Sequence, residues 1–196
     1  NHKDNLALQY VNDFASHKID ISAEEIINLG ASFFDMYLHP DTFKYAVPKF
    51  LQFYNKGDGS ATHCEFQKIR SNPHTDQYDW YITFGKISKE FECIIAITHP
   101  LECIGEYADK IAKMLDDNIF LRQQYERFAT LTRMEKEVLR LLALGHRNKD
   151  IAEQFYISPH TVRTHRNNIH EKLDICGKHI NHVTLYIRYA EAFGLI

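Results

Sequence analysis

The chain has 196 residues, 44% hydrophobic and 25% charged, enough for two small globular domains, and it lacks the run of about eighteen apolar residues that a membrane-spanning helix needs. Its net charge of −3 is uneven: Lys and Arg number 13 against 19 Asp and Glu over residues 1–129, and 10 against 7 over residues 130–196, so a cationic part suited to phosphate follows an acidic one. Four scattered cysteines (Cys64, Cys93, Cys103, Cys176), none in a Cys-x-x-Cys pair, argue against a disulfide framework or zinc finger and for free thiols in a reducing cytoplasm.

No basic-then-apolar leader opens the sequence, and cytoplasmic localisation is expected. The start at Asn1 rather than Met points to a fragment, or to a chain whose first residues are absent.

Residues 1–103 mix helix and strand signals. Ser22-Ala23-Glu24-Glu25 is a capping box, in which a serine oxygen accepts from the third backbone amide and the glutamate reaches back to the cap. Ile26, Ile27 and Leu29 follow, and Gly30 ends that helix. Phe43, Val47, Phe50, Leu51 and Tyr54 recur at helical spacing, with a kink expected at Pro48 and a stop at Gly57.

Residues 63–70, 78–85 and 91–98 then read as three strands with short connections, which favours an antiparallel sheet covered by the preceding helices. In the second strand Tyr78, Trp80, Ile82 and Phe84 alternate with more polar neighbours and are expected to form its buried face.

Residues 104–129 read as a connecting helix. Ile104, Tyr107, Ile111, Met114, Asn118, Leu121, Tyr125 and Phe128 alternate at spacings of three and four. This is a seam that a partner helix can share, with Asn118 as a polar register-setter. Packing on the chain's own sheet is the preferred expectation, because three heptads is near the minimum for a coiled coil.

Residues 130–196 carry the strongest functional signal. Thr132-Arg133-Met134-Glu135 is a second capping box, opening a helix with Met134, Val138, Leu141 and Leu142 on one face and Gly145 at its end. Asn148 is placed to cap a short helix bearing Ile151, Ala152 and Phe155. After a turn at Tyr156-Ile157, Ser158 caps a third helix, with Pro159 where its missing N–H costs nothing.

The third helix turns Val162, Ile169 and Leu173 inward and His160, Arg163, Thr164, Asn167 and Asn168 outward. Arg grips guanine, Asn pairs with adenine, and a Thr methyl touches thymine, so this face suits a major groove. An ordinary solvated helix surface has the same composition, and charge and periodicity alone leave both open.

The run Leu131-Thr132…Glu135-Lys136-Glu137-Val138-Leu139…Leu142-Ala143…Gly145…Asn148-Lys149-Asp150-Ile151-Ala152…Ile157-Ser158…Thr161-Val162-Arg163-Thr164-His165…Asn168-Ile169…Lys172-Leu173 resembles the LuxR-type (NarL-type) DNA-binding domain. The resemblance implies an all-α four-helix fold with the helix from Pro159 in the major groove. It puts Arg163, Thr164 and Asn167 at base-contacting positions, and Lys149, Ser158, Thr161, Arg166 and Lys172 near phosphates.

It also implies double-stranded promoter DNA as partner, RNA polymerase as a further one, and a homodimer formed through the last helix, about residues 179–193. Met134 and Phe155 stand where the family usually has Arg and Leu, and Asn167 where some relatives carry a base-reading Lys. His165 matches the family's usual histidine and is assigned a structural or phosphate-positioning role.

Residues 1–103 resemble a PAS sensor domain less extensively, through Tyr10-Val11-Asn12, Phe14, Ser22-Ala23-Glu24-Glu25-Ile26, Phe33-Phe34-Asp35, His39-Pro40-Asp41 and Tyr78-Asp79-Trp80. The resemblance implies an α+β fold that receives a small-molecule or protein signal. The Asn-Cys-Arg-Phe block of flavin photoreceptors is absent, no haem ligand is assigned, and Phe33, Phe34, Phe50, Phe66, Trp80 and Phe84 are expected in the core rather than around a cofactor.

No phosphate-cradling glycine loop, zinc-protease helix or nucleophile elbow occurs, so no catalytic residue, cofactor or metal is expected. His179 and His182 lie three apart, and such an exposed pair is far more often not a metal site. Two rivals remain open: a protein-docking module of the kind seen in sigma-factor region four, and a ligand-binding or enzymatic first half.

Overall fold

The computed structural model describes residues 7–175 and 182–196. The chain divides into two compact units, Asn1–Ala112 and Lys113–Ile196.

In the first unit four helices precede a sheet: α1 (Asp13–Ile19), α2 (Ala23–Leu29), α3 (Ser32–Tyr37) and α4 (Pro40–Lys56). The Ser22–Glu25 capping box forms as the sequence dictates: the Glu25 amide donates to Ser22 Oγ at 3.2 Å, and the Ser22 amide donates to Glu25 Oε2 at 2.9 Å. Helix α4 starts at Pro40, runs through Pro48, and stops at Gly57, whose φ of 66° a side chain would disfavour.

Strands β1 (Thr62–Ile69), β2 (Asp79–Ser88) and β3 (Cys93–Pro100) form an antiparallel meander in that order, with Phe84 opposite both Cys64 and Ile97. The buried face of β2 is the reverse of the one expected. Tyr81, Thr83 and Gly85 are buried, whereas Phe84 is exposed and Trp80 and Ile82 are half-buried. The cause is local space: a Cβ at Gly85 would lie 2.8 Å from the Phe50 ring, so the missing side chain admits α4 on that face. Phe50 and Phe53 then clasp the His63 ring, with centroids 5.3 and 5.4 Å away.

A 3-10 segment, Leu101–Tyr107, leads into α5 (Ala108–Ala129), which continues into the second unit. The helix expected from residue 104 begins later because Gly105 adopts φ 66° and ψ −135°, outside the helical region.

The second unit adds α6 (Arg133–Ala143), α7 (Asn148–Phe155), α8 (Pro159–Lys172) and α9 (His182–Ala192). Their apolar stripes converge on one core: Val138, Leu139, Ile151, Val162, Ile169, Leu173, Tyr186 and Tyr189 are almost wholly buried. Phe120 and Phe128 of α5 join it. Residue 148 opens α7 instead of capping it. The cap is Arg147, whose amide donates to Asp150 Oδ2 at 2.9 Å, so the carboxylate at the third helical position satisfies the orphan N–H.

Candidate nucleic-acid interface

Helices α7 and α8 are joined by a tight turn. Tyr156 ends α7 in the left-handed region, with φ 56°, and is 96% exposed. Ser158 starts α8: its Oγ accepts from the Thr161 amide at 3.0 Å and lies 2.9 Å from Thr161 Oγ1. The cap, Pro159 and the buried Val162, Ile169 and Leu173 fix the position and rotation of α8.

That rotation brings Arg163, Thr164 and Asn167 together on one exposed face, with His160 beside them. Thr164 Oγ1 donates to the His160 carbonyl at 3.2 Å, leaving its lone pairs free to accept. Asn168, expected outward, is half-buried, and His165 is half-buried with an Nδ1 atom that has no hydrogen-bond partner among the described residues.

The residues expected near phosphate fall into two sets. Lys149 and Ser158 are exposed at the starts of α7 and α8, and the half-buried Thr161 belongs to the α8 cap. Arg166 and Lys172 are engaged within the domain. Arg166 Nε donates to the Tyr186 hydroxyl at 3.2 Å, with the guanidinium 5.9 Å from the ring centroid. Lys172 Nζ donates to Glu135 Oε2 at 2.7 Å, and Glu135 is 2% exposed.

Burial pushes the Glu135 carboxyl up. The Lys172 hydrogen bond, the Thr132 amide and hydroxyl, and the Lys172 charge outweigh it and hold the group below its ordinary value.

Sequence reasoning missed three residues. Tyr186 orients Arg166 and bonds His170 Nε2, and no spacing rule links these positions. Arg147, exposed beside Lys149, adds a cation at the start of α7; its place before Asn148 was the available signal. Tyr156 projects from the turn between the two helices. The His170 ring stacks on His182 at 4.8 Å, and burial, then His182 and Arg166, hold His170 below the usual histidine value. His179 lies outside the described residues. Among the described residues no cluster of three or more His, Cys, Asp or Glu is arranged to hold a metal.

The geometry agrees with similarity to known proteins. Residues 129–180 match the family described as bacterial regulatory proteins, luxR family. The chain is 45% identical over 51 residues to the oxygen regulatory protein NreC of Staphylococcus haemolyticus, covering 26% of this chain and 24% of that protein. It is 40% identical over 97 residues to the response regulator protein VraR of Staphylococcus saprophyticus (50% and 44%), and 37% over 78 residues to the transcriptional regulatory protein YhcZ of Bacillus subtilis (38% and 36%). The chain thus spans less than half the length of these curated relatives. Residues 129–180 are a helix-turn-helix domain of the LuxR family, whose members are DNA-binding transcription regulators and not enzymes.

Proposed function

We propose that this chain is a transcription regulator that reads promoter DNA as a homodimer: a PAS-type sensor over residues 1–103, a connecting element over 104–129, and a DNA reader over 130–196. One observation carries the reading. Arg163, Thr164 and Asn167 share an exposed face of α8, directly opposite side chains that anchor the helix in the core. Arg163 takes guanine O6 and N7, Asn167 takes adenine, and Thr164 meets thymine. Lys149, Ser158, Thr161, Arg166 and Lys172 are the proposed backbone-contacting set, with Arg166 pre-oriented by Tyr186.

The order of helices before an antiparallel meander supports the sensor assignment. A small molecule or protein bound there changes how two readers are held, and dimeric readers require half-sites at set spacings. RNA polymerase is the proposed downstream partner and the cytoplasm the place of action. Among the described residues no helix is long and apolar enough to cross a membrane.

The test is selection of genomic fragments by the purified chain, followed by titration of the enriched duplex at two salt concentrations. The expected result is an enriched sequence whose affinity falls steeply with salt. Failure to retain any duplex at low salt overturns the reading in favour of a protein-docking module. Native mass spectrometry then tests the sensor for a retained small molecule.

A further inference from the structure

We infer that Tyr156 is a contact residue for the DNA sugar-phosphate backbone, its phenol hydroxyl donating to a phosphate oxygen close to the one Ser158 meets. The inference rests on the promoter-DNA reading proposed above and adds to it a residue outside the set assigned there.

Helices α6, α7, α8 and α9 end in the same way. At the end of α6 the His146 amide donates to the Leu141 carbonyl and the Gly145 amide to that of Leu142. The same double closure recurs at Ile157 and Tyr156 (to Ala152 and Glu153), at Ile175 and Asp174 (to His170 and Glu171), and at Leu195 and Gly194 (to Ala190 and Glu191). The motif needs a left-handed residue at its inner position, where glycine is usual because a Cβ crowds the backbone there. Gly145, Asp174 and Gly194 meet that need with φ of 86°, 53° and 66°. At the end of α7 the place belongs to Tyr156, with φ 56°. Among the described residues the other non-glycine residues of positive φ are Asp20, Glu92 and Asp174, so an aromatic side chain takes this conformation only between α7 and α8.

No contact among the described residues offsets that strain. Tyr156 is 96% exposed, and its side chain makes no hydrogen bond, ion pair or ring contact there. The next residue, Ile157, supplies the apolar packing of the motif against the core. A bulky residue held in a strained conformation without an internal contact marks a site that a partner completes. Position selects that partner. Tyr156 lies two residues before Ser158, a chain distance of at most about 7 Å, and Ser158 opens the helix that presents Arg163, Thr164 and Asn167. Tyrosine hydroxyls are among the uncharged groups that donate to phosphate, and a ring with two rotatable bonds loses little freedom on docking.

The experiment uses the full chain with an enriched duplex and a random one. Tyr156→Gly places the favoured residue in the motif, so core amides of α7 and α8 should exchange about fivefold more slowly. Its affinity should nevertheless fall about tenfold on both duplexes alike, with the salt dependence unchanged because no charge is removed. Tyr156→Phe should lose most of the same affinity without the gain in stability. Replacing phosphates one at a time by methylphosphonate should reveal one position that weakens wild type but not Tyr156→Phe. Unchanged affinity in Tyr156→Gly overturns the contact, and a concurrent fall in transcription from the enriched promoter would assign the ring to a protein instead. Loss confined to the enriched duplex also overturns it, since the ring would then read bases or shape. Faster core exchange in Tyr156→Gly would make the ring a folding element. A wild-type chain that retains no duplex removes the promoter-DNA reading itself.

Discussion

Lys172→Ala should unsettle the reader domain far more than an exposed lysine would. The Lys172 side chain is 32% exposed, whereas its partner carboxylate on Glu135 is 3% exposed and accepts from Lys172 at 2.7 Å. Removing the ammonium leaves a buried charge without its counter-ion, which typically costs about 3–5 kcal/mol. The lower end applies here, because Glu135 still accepts from the Thr132 amide at 2.7 Å.

Hydrogen exchange of core amides in α6 and α8 isolates this domain within the full chain, and about 3 kcal/mol corresponds to roughly 150-fold faster exchange. Lys172→Met keeps the apolar stem and should lose nearly as much, while Lys172→Met with Glu135→Gln should recover most of it, since neither charge is then left alone. Because the native Glu135 carboxyl lies below its ordinary 4.5, its stabilisation is complete above that pH and is lost as pH falls through the lowered value. Less than fivefold faster exchange in Lys172→Ala would refute the reasoning: the carboxylate would then behave as a hydrated surface group. It would also return Lys172 to a role in phosphate contact alone.

Arg163→Ala should cost about 1–3 kcal/mol on an enriched duplex and flatten base preference, so anisotropy should show a smaller loss on random duplex; equal losses on both would count against base reading. Gly85→Ala forces a Cβ to 2.8 Å from Phe50 and should destabilise the first unit by about 1–3 kcal/mol, read through Trp80 fluorescence in urea. Ser158→Ala removes the acceptor for the Thr161 amide and should cost about 1 kcal/mol, seen as faster exchange at the first turn of α8. Burial, then His182 and Arg166, lower the His170 value, so its contribution is present above its ordinary 6.5 and lost as pH falls through the lowered native value; His170→Gln should flatten exchange against pH in that window.

Features encoded by neighbouring residues were legible in the sequence. The Ser22 and Thr132 capping boxes, the Ser158-Pro159 start and the Gly30 and Gly57 stops are rules over two to four residues, and each forms as expected. The inward side of α8 followed from Val162, Ile169 and Leu173 in the same way. The sheet face was not legible, because both faces of β2 carry large side chains and the choice depends on Gly85 meeting Phe50 from a different element. The partners of Arg166 and Lys172 escaped for the same reason: they lie 20 and 37 residues away, with no local pattern to announce them. Local chemistry therefore identifies which residues α8 presents, and tertiary contacts decide which of them arrive already held.

That difference divides the labour along α8. Arg166 enters any complex with Nε already donated to Tyr186, so less rotamer freedom remains to be lost, and four further N–H donors are left in a fixed fork. Such an arm suits the phosphate backbone, whose geometry hardly changes with sequence and rewards a pre-set contact. Arg163, one helical turn earlier and exposed, makes no ion pair among the described residues and keeps its rotamers for the base edge it meets. A wrong base then leaves it without the bidentate partner that offsets its ordering. In the proposed complex the backbone contact would thereby be tied to the core through α9, while discrimination would sit on a residue the core leaves alone. On the proposed reading, substitutions at 163, 164 and 167 are expected to alter the DNA sequence selected without disturbing the fold, whereas those at 166, 172 or 186 are expected to alter both stability and binding.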